Sequence, residues 1–243
     1  MYPLLKKELR TFLSSLIGYA VICVFLLLIG LFMWVFEGDM NTLDNGYAGL
    51  DTLFYLAPWV FMFLIPAITM RSFADERKSG TIEWLLTRPV TDMQIIVSKY
   101  LAGLLLVCLA LLPTLVYYYT VWQLGTPPGN VDSGGVWGSY LGLVFLASAY
   151  VAIGIFASVI TSSQVVAFLL SVLLCFFLFS GLHSLGSFKL FGALDGYIIA
   201  AGMQSHYASL SLGLIDSRDV SYFLALSVLF LFLTELMLKS RKW

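Results

Sequence analysis

The densest group of residues able to do chemistry lies at 75–83, where Asp75, Glu76, Arg77, Lys78 and Glu83 fall within nine positions of a chain that is only 11% charged. No nucleophile and base stand together there, so the chemistry on offer is ion pairing and hydrogen bonding to another surface. Ser79 or Gly80 suits the cap of a short helix, Glu83 sits in its first turn, where the helix dipole favours a carboxylate, and Pro89 stops it after Arg88. Ile82, Leu85 and Leu86 share one face of those two turns, leaving Glu76, Arg77 and Glu83 as polar contacts. A second helix start follows at once: Thr91 and Gln94 have capping-box spacing, with Val90 and Ile95 as the hydrophobic staple. The segment reads either as a shaped docking element or as a solvated charged loop with one amphipathic turn.

Elsewhere, catalytic patterns are missing. No lysine follows a glycine, so the chain has no phosphate-cradling G-x-x-x-x-G-K-[ST] loop, and no cofactor pattern replaces it. Neither His183 nor His206 has a second ligand at metal spacing, and Cys23, Cys108 and Cys175 stand alone in apolar runs, as small packing residues do. The apolar runs hold no histidine and no carboxylate pair, which argues against a membrane protease, a lipid-modifying enzyme or an ion-coupled carrier. Glu235 and Lys99 lie near the ends of such runs, where snorkelling accounts for them. Net charge of −1 gives no basic field for nucleic acid.

The elements that must position these residues are membrane helices. The chain is 60% hydrophobic over 243 residues, a surface that water could not solvate. Apolar runs near the roughly 20 residues needed to cross about 30 Å of hydrocarbon occur six times, at 12–36, 52–70, 95–122, 136–160, 165–182 and 220–238. They are continuously apolar, without the alternation of a barrel strand. The expected fold is therefore an all-α integral membrane protein, one domain over 1–243, with a loop at 71–94 and an outer segment at 183–219. Eleven of the thirteen basic residues fall before the first run, between the second and third, or after the last. The positive-inside tendency then puts both termini and the 71–94 loop in the cytoplasm.

Other stretches refine this outline. Residues 2–13 place Leu5, Leu9, Phe12 and Leu13 opposite Lys6, Lys7 and Arg10, which suits either a helix lying in the interface or a cationic anchor for the first span. The 183–219 segment is too polar to span, and Phe188, Phe191, Tyr197 and Tyr207 suggest short interfacial or re-entrant pieces capping the outer end. Pro58, Pro66 and Pro113 interrupt backbone hydrogen bonding, as flexing points or as static kinks. Gly138 and Gly142 form a G-x-x-x-G pair suited to close helix packing.

The sequence DERKSGTIEWLLTRP at 75–89 resembles the segment between the second and third helices of ABC-2-type exporter permeases. KELRTFLSS at 7–15, WVFEG at 34–38, LAPW at 56–59 and LIPAITMRSF at 64–73 resemble more closely the permease subunit associated with bacterial gliding motility. The resemblance implies a multi-pass bacterial inner-membrane subunit with no catalytic site of its own. It also implies a separate ATP-binding-cassette ATPase, a second permease subunit and an auxiliary membrane-anchored subunit as partners, within the lipid bilayer. Carried onto this chain, the ATPase-coupling helix would comprise Glu76, Arg77, Gly80, Thr81, Glu83, Trp84, Leu85 and Leu86. The competing class is a nucleotide-independent channel or scaffold, which explains the spans equally well and leaves that helix without a partner.

Overall fold

The computed structural model describes residues 2–81, 91–189 and 192–240, and among these every regular element is helical. Helix α1 (Tyr2–Leu13) lies across the start of α2 (Leu16–Trp34), the two bent by 63°. Ser15 makes that corner: its Oγ accepts from the Gly18 amide at 3.3 Å, satisfying a free donor of the first turn of α2. Then come α3 (Asp51–Thr69) and, continuing it past Met70, α4 (Arg71–Lys78). The third crossing is α5 (Asp92–Leu111) and α6 (Leu115–Leu124), joined by a 3-10 turn that holds Pro113. The capping box at its start forms, with Thr91 Oγ1 accepting from the Gln94 amide at 3.3 Å and Gln94 Oε1 from the Thr91 amide at 3.4 Å.

Helix α7 (Ser133–Ile160) is followed by α8 (Gln164–Phe176), which passes through a π-helical turn at Phe177–Gly181 into α9 (Leu182–Ser187). Short helices α10 (Asp195–Ala200) and α11 (Met203–Ser211) precede α12 (Ser217–Lys239). Five of the crossings are long and apolar enough to span a membrane alone, and α1 with α2 makes a sixth across its bend. The whole is an all-helical membrane protein.

α7 is the axis of the bundle. Of its apolar stretch 78% is enclosed by other helices, against 22% for the α8 crossing and 28% for α12, so those two turn most of their surface outward. Small residues let neighbours approach it. A Cβ at Gly103 of α5 would press on Val151, one at Gly154 would strike Thr69 of α3, and one at Gly142 would lie 2.7 Å from Leu210 Cβ of α11. Ser148 and Ser227 hydroxyls pair at 3.2 Å between α7 and α12, and the Phe156 and Phe230 rings meet edge to face at 5.5 Å.

The segment before α12 packs down on this bundle. The Tyr207 hydroxyl donates to Phe54 O of α3 at 2.7 Å, and Met203 and Leu210 are buried. His206 is structural here: Nδ1 faces Asp219 Oδ1 at 2.7 Å, Nε2 faces Ala200 O at 2.8 Å, and its ring stacks on Tyr222. Ser209 also donates to the Asp219 carboxylate.

Candidate functional site

The charged segment begins on α4, which carries the second crossing beyond its apolar run. Its residues from Ser72 to Ala74 are buried, and three separate contacts hold it. Lys99 of α5 donates to Glu76 Oε1 at 2.8 Å and to Glu8 Oε1 of α1 at 3.3 Å, and its Nζ lies 5.0 Å from the centre of the Phe73 ring. Arg77 Nη1 donates to Val159 O, near the end of α7, at 2.8 Å. Gln164, the first residue of α8, donates its amide to Asp75. One short helix is thus tied directly to α5, α7 and α8, and through Lys99 to α1.

Lys99 does not snorkel. Its side chain is 3% exposed, and instead of reaching water it is neutralised by two carboxylates from helices distant in sequence. Burying an ammonium without such partners would be costly, and two charge-assisted bonds offset that cost. The pattern carried a trace of this. Glu8 follows Leu5 by three positions and precedes Phe12 by four, so it falls on the inward face of α1, while Lys6, Lys7 and Arg10 are exposed. Lys99 likewise shares a face with Ile95, Ile96 and Ala102, all buried. A charge on an apolar face is the signal; which charge it meets is not in the pattern.

The candidate coupling residues divide accordingly. Glu76 and Arg77 are engaged within the chain, not presented as free contacts. Ser79 and Gly80 close α4: the Ser79 amide donates to Asp75 O at 3.0 Å, and Gly80 has φ +69°, the left-handed conformation that commonly ends a helix. Thr81 follows directly, its hydroxyl 2.9 Å from that of Ser79. Glu83, Trp84, Leu85 and Leu86 lie outside the described residues. Among the described residues the arrangement holds no catalytic constellation; it is a short helix braced by its neighbours.

No curated protein matches the chain. A family pattern described as ABC-2 family transporter protein does, over residues 2–192, which takes in α1, the braced α4 and five of the crossings, and the chain belongs to that family.

Proposed function

We propose that this protein is the permease subunit of an exporter-type ATP-binding-cassette complex, driven by a separate ATPase that docks on the segment following α4. Both termini and that segment then face the cytoplasm of a bacterial inner membrane, as the distribution of lysine and arginine favours. A second permease subunit and an auxiliary membrane-anchored subunit complete the complex, and its service in gliding motility rests on the resemblance of residues 7–15, 34–38, 56–59 and 64–73 alone. The chain itself hydrolyses nothing; it converts the closure of two ATPase subunits into helix movement.

One observation carries the reading: α4 is locked to α5, α7 and α8 through Glu76, Arg77 and Asp75, and through Lys99 to α1, far more bracing than a linker between two spans requires. A push on the adjoining segment therefore moves several helices together, and alternating access follows if they tilt. Pro58 and Pro66 lie inside α3, directly above α4, where missing backbone hydrogen bonds lower the cost of bending.

Replacing Gly80 and Thr81 with proline tests this. Proline fixes φ near −65° and cannot adopt the +69° of Gly80, so the turn leaving α4 is remade. Membrane levels are expected to stay normal, because insertion energy resides in the apolar runs, while the co-expressed ATPase no longer co-purifies and transport is lost. Full ATPase association and activity in the variant would make the segment a linker and put the channel or scaffold reading in its place.

A further inference from the structure

Between α1 and the junction of α3 with α4 is a cleft of about 210 Å³, lined in part by the bracing residues Asp75, Glu76 and Lys99. Its depth is set by three helices at once. Phe12 and Ser15 line it just before α2 begins at Leu16; Ile68 and Arg71 line it where the apolar run of α3 gives way to α4; Lys99 closes it near the start of α5. A place where apolar runs from three helices begin or end together is the level of the lipid headgroups, not of the hydrocarbon or of bulk water.

The charges of the cleft are of both signs and are layered. Lys7 and Arg71 are exposed at its rim; Lys7 Nζ lies 3.8 Å from Oε1 of Glu8, which also lines the cleft, and Arg71 forms no ion pair among the described residues. Asp75 and Glu76 lie deeper, and Glu76 Oε2 is buried without a hydrogen-bond partner, because Lys99 takes only the other oxygen. Phe12 and Ile68 form the apolar wall. A plain anion would meet the carboxylates, and a plain cation the rim.

We propose that this cleft binds the headgroup of a zwitterionic phospholipid bearing a primary amine, of the phosphatidylethanolamine type. The phosphate sits between Lys7 and Arg71, the ammonium points inward to the Asp75 and Glu76 carboxylates, and an acyl chain runs along Phe12 and Ile68. At about 30 Å³ per water-sized group, the volume admits roughly seven such groups, which suits phosphate plus ethanolamine. Three N–H donors on the ammonium supply what the unpartnered Glu76 oxygen lacks; a trimethylated amine has none.

The test is native mass spectrometry of the full chain released from nanodiscs holding equal amounts of phosphatidylethanolamine, phosphatidylcholine and phosphatidylglycerol with identical acyl chains. The ethanolamine lipid is expected to be retained about tenfold over the choline lipid, the scale of a lost charge-assisted contact. Lys7→Gln with Arg71→Gln should lower retention of all three lipids, which share the phosphate, while leaving the thermal midpoint unchanged. Equal retention of the three lipids, or unchanged retention in the double variant, overturns the proposal. The lipid comparison needs no variant, so it stands even if that variant folds poorly. Excess glycerophosphoethanolamine separates the two sources of this chemistry: retention against it supports a membrane lipid, and displacement by it overturns the lipid assignment in favour of a soluble amine phosphate.

Discussion

Lys99 is the residue on which the braced end depends. It serves two carboxylates, Glu8 and Glu76; Glu76 has no other cation in an ion pair among the described residues, and Glu8 has besides it only the exposed Lys7, 3.8 Å away. Lys99→Met should therefore destabilise the protein by about 3–5 kcal/mol, the range for breaking a buried pair from one side. Combining it with Glu8→Gln and Glu76→Gln should restore much of that, since all three charges then leave together. Thermal denaturation in detergent reads both effects, and a Lys99→Met protein melting with the wild type would mean the trio is solvated and α4 unbraced. The single residues were only partly legible. Glu8 and Lys99 stood on apolar faces by spacing, yet they are 91 positions apart, and periodicity reports a face without naming what it meets.

Individual helices reveal themselves where their determinants are local. The Thr91 and Gln94 box could be read directly because both partners sit within one turn. The Gly138 and Gly142 pair announced a close approach but not to what: the structure brings Gly213 and Leu210, from the far side of the capping segment, onto these glycines. Gly142→Ala accordingly has no room, its Cβ falling 2.7 Å from that of Leu210, whereas Gly196 in α10 has open space around it. Gly142→Ala is expected to cost about 1–3 kcal/mol and to speed amide exchange in α11 by lifting it from α7. Gly196→Ala is the control and should be neutral or slightly stabilising, as alanine favours a helix. Similar exchange in the two variants would show that α11 is not seated on α7.

Taken as one object, the molecule has a basic end and an acidic end. Lys6, Lys7, Arg10, Arg71, Arg77, Lys78, Lys99 and Lys239 belong to the first; Glu37, Asp39, Asp44, Asp132, Asp195, Asp216 and Asp219 to the second. The six crossings of the proposed topology put both termini on one side. A cysteine introduced at the exposed Ser79, in a chain otherwise freed of cysteine, should react with an impermeant maleimide only after the cells are opened. Labelling of intact cells would reverse the orientation. Composition and run length made the all-helical membrane class legible, with five helices long and apolar enough to cross and a sixth if the bent α1–α2 pair is one span. They could not reveal that one helix is the axis, because α7, α8 and α12 are similarly apolar and differ in what surrounds them.

That axis also imposes an order on the making of the protein. The ribosome delivers α4 well before the carbonyl that Arg77 grips, 82 residues further on, and before the Gln164 that holds Asp75. Until α7 and α8 emerge, the nascent chain has three crossings in the bilayer and α4 unsecured on two sides. On the proposed function, the docking surface is thus complete only once Gln164 has emerged, so an ATPase that recognises the braced α4 would engage only permeases whose synthesis has passed the fourth crossing.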